Sequence, residues 1–183
     1  TTQFVALLNA DAFPEPNWIE QMLIAATEYN NSAAFGSQLI CHGNDNLLDG
    51  IGDSYHFSGL VWRNRHGMRK RSIDNYACEI FSACAAAAMY RRKALVKVGG
   101  FDEDYFCYVE DVDLGFRLRL AGYKAMYIPE AVVHHIGSAT TGGHRSDFSV
   151  YHGHRNLVWT YVKNMPGPLF WLLLPAHMLL NVV

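Results

Sequence analysis

Apolar positions along this chain alternate between short unbroken runs and longer stretches with a period of 3.6 residues. The first run, Phe4-Val5-Ala6-Leu7-Leu8, is continuous, as in a fully buried parallel strand. It delivers Asn9-Ala10-Asp11 at its carboxyl end. Phe13-Pro14-Glu15-Pro16 reads as a stiff loop, because proline fixes φ and cannot donate to a ladder. Asn17 stands where an N-cap would, with Glu20 three residues on, a relative of the capping box. The helix it opens runs to about Tyr29 and turns Trp18, Met22, Leu23 and Ala26 inward. Ala33 to Ile40 is a second strand. Residues 42–76 form a polar, glycine-rich excursion with short strands near Phe57–Trp62 and Met68–Ile73. On an α/β scaffold such an excursion is often a binding loop. Glu79 to Tyr90 contains the small-residue tract Ala83-Cys84-Ala85-Ala86-Ala87-Ala88, which admits either a close-lying ligand or tight backbone packing. Arg92 to Val98 is a short helix closed by Gly99-Gly100.

Val112, Phe116 and Leu120 then recur as one apolar stripe of a helix whose first turn holds Glu110, Asp111 and Asp113. The positive end of the helix dipole favours ionised acids there, and an ionised carboxylate held at a helix start is a ready general base. Gly122 supplies the C-cap, Lys124–Ile128 the next strand, and Ala131–His135 a short strand after Pro129. Asp147 to Asn164 is a last clear helix, stopped before Pro166-Gly167. Strands alternating with helices predict an α/β fold with a largely parallel sheet, in which ligands bind at the carboxyl ends of strands. Asn9 and Asp11 lie at one such end, and His134 and His135 at another.

Composition narrows the function. Half of the 183 residues are hydrophobic and 17% are charged, enough for one core. The net charge of −2 and the absence of a basic block with interleaved aromatics argue against nucleic acid. Cys41, Cys78, Cys84 and Cys107 form no C-x-x-C pair, which suits buried thiols in a reducing compartment. Both ends read as cut, since no initiator Met or signal peptide precedes the first strand. Residues 165–183 form an apolar segment interrupted by Pro175, His177 and Asn181. An interfacial or docking helix ranks ahead of a truncated membrane span for it.

Asp11, the acids at 110–113 and the His134/His135 pair offer oxygen ligands with one imidazole, a set for Mg²⁺ or Mn²⁺ rather than structural zinc. The order Leu7-Leu8-Asn9-Ala10-Asp11, Val98-Gly99-Gly100-Phe101-Asp102-Glu103, Glu110-Asp111-Val112-Asp113-Leu114 with Arg117 and Arg119, and His135-Ile136-Gly137-Ser138-Ala139-Thr140 resembles the family 2 inverting glycosyltransferases of the GT-A fold. The likeness is greatest to their bacterial, rhamnosyltransferase-like branch. It implies a Rossmann-like sheet with helices on both faces, here lacking its N-terminal strands, so that residues 1–164 are part of a catalytic domain. It implies that Asn9 and Asp11 take the places of the aspartate pair that meets the donor diphosphate. Asp11 and His135, which precedes Ser138 by three, then hold the divalent metal. Glu110-Asp111 corresponds to the family's Glu-Asp motif, with Asp111 as the base and Glu110 and Asp113 orienting the helix start. For Asp113 a salt bridge to Arg117 at i+4 is the favoured role.

The expected activity is transfer of a sugar from a nucleotide-diphosphate donor to a hydroxyl of a glycan or lipid-linked glycan, with inversion. Its place is the cytoplasmic face of a bacterial membrane. Single addition fits because the Gln-x-x-Arg-Trp motif of processive synthases is missing around Tyr151–Trp159. Arg155 can reach a phosphate or sit in an exposed helical turn. Trp62, Trp159 and Trp171 can stack on a sugar or lipid, although core packing is the commoner use of such residues. Histidines 42, 56, 66 and 144 sit in polar loops and suggest nothing specific. Two other classes compete: a non-catalytic carbohydrate- or partner-binding fragment, and, below it, a metal-dependent hydrolase, which lacks an H-E-x-x-H or H-x-x-E-H helix here.

Overall fold

The structure is a computed structural model that describes residues 2–137 and 146–181. The expectations placed on Ser138, Ala139, Thr140, His144, Val182 and Val183 lie outside the described residues. In order, the chain runs β1 (Phe4–Leu8), β2 (Ala12–Pro14), α1 (Trp18–Glu28), β3 (Ser32–Cys41), β4 (Leu47–Gly50), β5 (Asp53–Tyr55), β6 (Val61–Arg63) and β7 (Met68–Arg69). It continues through β8 (Cys78–Ile80), β9 (Ala87–Arg91), α2 (Arg92–Val98), α3 (Glu110–Leu120), β10 (Lys124–His135), α4 (Asp147–Asn164) and α5 (Gly167–Asn181).

The main sheet has the order β1-β9-β3-β10-β2, with β4 and β7 built out from β3 and β8 paired to β10. Its faces are covered on both sides, because alternate residues of each central strand point to opposite faces. Phe35, Leu39, Met89, Ile128 and Val133 meet Trp18, Met22, Ala25 and Ala26 of α1. Ala34, Ala88, Tyr90, Ala125 and Tyr127 meet Leu114 and Leu118 of α3. The buried Trp18 indole donates to Ser37 Oγ, whose hydroxyl passes the bond to the Ala87 carbonyl, so neither polar group is left unpaired.

The α/β class and the two helical layers are as expected, but strand direction is not. Among the described residues β3–β10 is the parallel pair, while β1–β9, β9–β3 and β10–β2 run antiparallel. An unbroken apolar run reports burial rather than direction. Even burial fails for β1, which among the described residues pairs with β9 alone and leaves Leu8 43% exposed. The two expected strands around Pro129 are one, β10, whose register against β3 shifts between Ile128 and Val132. The proline sits in that bulge, where no ladder donor is required of it.

Helix ends follow local chemistry at Gly99 and Ser146. Gly99 takes φ +88° and closes α2, its N–H reaching the Leu95 and Val96 carbonyls. Ser146 caps α4 by accepting from the Ser149 N–H. Asn17 occupies the N-cap of α1 yet makes no side-chain cap bond, so the capping-box expectation is not met. Leu23 is exposed and Ala25 takes the inward place. In α3 the expected stripe is also too narrow. Val112, Leu114, Phe116 and Leu118 are buried and Leu120 is exposed, because the helix lies between the sheet and α4.

Candidate active site

Backbone register brings the two ends of the chain's first half and second half together. β2 pairs with β10 so that Ala12 faces His135, and the Ile136 N–H donates to the Asp11 carbonyl at 3.0 Å. Asp11 and His135 therefore become neighbours, with His135 Nε2 3.3 Å from Asp11 Oδ1. Strand alternation sends His134 the other way, to Glu15 at 3.1 Å and Asp45 at 3.6 Å. His135 is buried, and its Nε2 makes no hydrogen bond among the described residues.

Asp49 holds the other side of the ring. β3 and β4 pair Leu39 with Gly50 but Ile40 with Leu48, so Asp49 is the extra residue of a β-bulge, a geometry that re-aims a side chain. Asp49 Oδ2 lies 2.8 Å from His135 Nδ1 and accepts from Arg63 Nη1 at 2.8 Å. Burial alone would raise the Asp49 carboxyl, but the His135 hydrogen bond and the Arg63 charge outweigh it and hold it below the ordinary value. Arg63 also comes within 4.0 Å of Asp53 Oδ1.

Glu110 and Asp111 of α3 face the same cleft, of about 630 Å³, whose walls include Asn9, Asp11, His135, Trp62 and Arg63. Asp111 is fixed by backbone: Oδ2 accepts from the Ala85 N–H at 3.0 Å and Oδ1 from the Val112 N–H at 2.9 Å. The small-residue tract thus brings its own backbone up to the acid. Glu110 departs from the expectation that all three acids are ionised. Burial, and then the charge of Asp111, push its carboxyl up to about 8, and its buried Oε2 has no partner. Burial and the Asp111 charge likewise raise Asp53 well above the carboxylate range, against the opposing pull of Arg63. Burial pushes the Cys84 thiol up as well, which makes it a poor nucleophile. Asp113 is in the role favoured for it: it accepts from Arg117 at 2.9 Å and from Asn164 at 2.7 Å, 1% exposed.

The loop before α3 is strained and clamped. Phe106, Tyr108 and Val109 hold φ of 64°, 64° and 66°, values that cost a side-chain-bearing residue energy. The fully buried Asn156 amide donates to the carbonyls of Tyr105, Cys107 and Tyr108 at 3.0, 2.7 and 2.7 Å. Arg155 serves the same loop. Its guanidinium donates to the Tyr105 carbonyl at 3.0 Å and lies 4.3 Å from the Trp159 ring centroid, away from the cleft walls. Of the three tryptophans, Trp62 lines the cleft, Trp159 carries Arg155, and Trp171 is exposed on α5.

A divalent ion fits Asp11 and His135 in donor chemistry, with the unpartnered Nε2 as the observation in favour. No third His, Cys, Asp or Glu joins them among the described residues, so diphosphate or water oxygens would complete such a shell. Asp49, Asp53, Arg63 and Asn156 went unnoticed in the sequence. Their only signal is the density of charge in residues 42–76 and the Arg155-Asn156 pair in a helix's third turn.

Known proteins resemble this chain in sequence and in fold. The profile of the family described as glycosyltransferase like family 2 matches residues 1–165. The O-antigen chain rhamnosyltransferase WbaN of Salmonella anatum is 30% identical over 152 residues, 82% of this chain and 45% of that protein. The N-acetylglucosaminyl-diphospho-decaprenol L-rhamnosyltransferase of Mycobacterium tuberculosis is 48% identical over 65 residues, 35% of this chain and 21% of its own. The chain thus spans less than half the length of these relatives. The crystal structure of GalNAc-T7 with UDP, GalNAc and Mn²⁺ superposes with a TM-score of 0.62 at 13% identity, over 87% of this chain and 31% of that one, a likeness of fold. With its two-faced sheet and a cleft at the strand ends, the chain belongs to the glycosyltransferase family 2 and has the GT-A fold.

Proposed function

We propose that this chain is the acceptor-facing part of the catalytic domain of a single-addition, inverting sugar transferase. Its donor is a nucleotide-diphosphate sugar and its acceptor a hydroxyl of a glycan or lipid-linked glycan. Rhamnosyl or another hexosyl transfer is the class that the named relatives support. The observation that carries the reading is the shared cleft, with the Asp11–His135 pair and Asp111 both opening into it.

Each group has a task set by its geometry. Asp111, held by two backbone N–H groups, takes the proton of the acceptor hydroxyl as that oxygen attacks the anomeric carbon. Attack from the face opposite the leaving diphosphate inverts the centre in one displacement. Glu110, with its raised carboxyl, holds its proton at neutral pH and so donates a hydrogen bond toward the acceptor rather than competing as a base. Asn9 lines the donor side beside Asp11. Asp11 Oδ1 and His135 Nε2 would hold a divalent cation, Mn²⁺ or Mg²⁺, which when bound offsets the charge gathering on the leaving diphosphate. Trp62, at the cleft wall and 49% exposed, offers a ring face to a sugar.

Attachment to the cytoplasmic face of a membrane belongs to the same proposal. Trp171, Leu172 and Leu179 of α5 are each more than 70% exposed, and no helix of the described residues is long and apolar enough to cross a bilayer. The decaprenol in one relative's name is a lipid acceptor that such a surface suits.

The test is to incubate the full-length protein with a panel of nucleotide-sugars and polyprenyl-diphosphate-linked or free glycan acceptors. Acceptor-dependent release of nucleoside diphosphate, with an inverted linkage by NMR, is the expected result. Cleavage of the donor or acceptor that ignores the partner substrate would favour a hydrolase instead.

A further inference from the structure

We propose that Asp49 is a positioning residue for the donor side of the site: it fixes the tautomer and the angle of the His135 ring. The inference rests on the reading of His135 as a metal ligand and extends it to a residue 86 positions away in the chain.

The ring of His135 is buried, so its two nitrogens meet different fixed surroundings. Nδ1 faces Asp49 Oδ2 at 2.8 Å. A carboxylate offers only lone pairs, so the proton of a neutral ring belongs on Nδ1, and Nε2 is left with its lone pair. The opposite tautomer would set lone pairs against each other at Nδ1, the closer of the ring's two carboxylate contacts, 2.8 Å against 3.3 Å at Nε2. Nε2 then points at the Asp11 side of the cleft, 3.3 Å from Oδ1, and has no hydrogen bond. That is the arrangement in which a second carboxylate raises the basicity of a ligating imidazole and limits its rotation.

Asp49 is itself held in place. It is the extra residue of the β4 bulge, which turns its side chain toward β10. Arg63 donates to the same Oδ2 at 2.8 Å, and His66 Nδ1 lies 3.4 Å from Oδ1. A merely structural Asp49 would need only the arginine. The His135 contact does something further, because it decides which ring nitrogen meets the cleft.

The experiment uses the full-length protein in three forms besides wild type: Asp49→Asn, Asp49→Leu and His135→Ala. Nitrogen NMR of labelled histidine, read where the ring is neutral, reports the tautomer without any metal. Mn²⁺ alone, followed by water-proton relaxation, reports affinity. Wild type is expected to show the Nδ1–H form, and Asp49→Leu a mixture with the Nε2–H form. Mn²⁺ affinity is expected to fall about 10–100-fold in Asp49→Leu. Asp49→Asn still accepts from Nδ1–H and keeps the shape, so it should fall between the two and serve if Asp49→Leu does not fold. An Nε2–H tautomer in wild type overturns the inference. So does an Asp49→Leu protein that keeps both tautomer and Mn²⁺ affinity while His135→Ala loses the metal. Unchanged affinity in His135→Ala overturns the metal reading itself and the inference with it.

Discussion

The Ala85 N–H donates to Asp111 Oδ2 at 3.0 Å, so backbone rather than another side chain sets the reach of the proposed base. Asp111→Asn keeps the shape and the Ala85 contact but cannot take a proton. Turnover should fall on the order of 10²–10⁴-fold with little change in Tm. Steady-state kcat and a melting curve on the same preparation check this. A near-normal kcat would move the role to Glu110.

Glu110 makes a pH test possible. Its carboxyl is raised to about 8 in the folded protein, above its ordinary value near 4.5. Between those values the folded protein holds a proton that the unfolded chain has released. Its contribution to stability is therefore full below the lower value and is lost as pH rises through the upper one. Glu110→Gln cannot ionise, so its stability relative to wild type should rise between about pH 5 and about pH 9, on the order of a few kcal/mol at most, and paired melting curves across that range read it. A difference that stays flat with pH would mean that Glu110 is ionised throughout.

Asn156 is expected to act on turnover through the loop at residues 105–109. Asn156→Ala removes the donors that hold three carbonyls beside three positive-φ residues. A stability loss of about 1–3 kcal/mol should accompany faster amide hydrogen exchange confined to that loop and the first turn of α3. Exchange that speeds up uniformly instead would assign Asn156 to the global fold.

Chelation should stop transfer, and added Mn²⁺ or Mg²⁺ should restore it. In His135→Ala the metal concentration for half-maximal rate should rise by about 10-fold or more, with a smaller change at saturating metal. A metal titration of initial rates reads both. Full activity in excess chelator would exclude the metal role given to Asp11 and His135.

Gly115 tests packing alone. A methyl there would meet the Ser82 Cα at 3.0 Å and the Phe81 carbonyl oxygen at 3.1 Å, both backbone atoms that cannot swing away. Gly115→Ala should cost about 1–3 kcal/mol in denaturant unfolding, despite alanine's better helix propensity. A stabilised variant would show that α3 can shift off residues 81–82.

Much of the site was legible because its parts sit where local rules put them. Asp11 follows an apolar strand and Glu110 and Asp111 open a helix, while His135 was singled out over His134 by the family resemblance, through its spacing to Ser138, and strand alternation in the structure separates the two rings. The supporting charges were not legible. Asp49 reaches His135 only through a bulge, and Arg63 reaches Asp49 by pairing of short strands in a polar stretch with no periodicity. Strand direction escaped for a related reason. Hydrophobic runs encode which residues leave water, while the antiparallel neighbours of β9 are chosen by how the connections return. Leu120 was misplaced because α3 is packed on more than one side, and a single stripe describes a helix with one covered face.

Arg63 stands between Asp49 and Asp53, and so between the ring of His135 and the acids around Asp111. All three supporting residues come from one excursion between β3 and β8. Residues 42–76 therefore carry the charges that flank both sides of the cleft as one contiguous segment, so a change in the length or pairing of that segment moves all of them together.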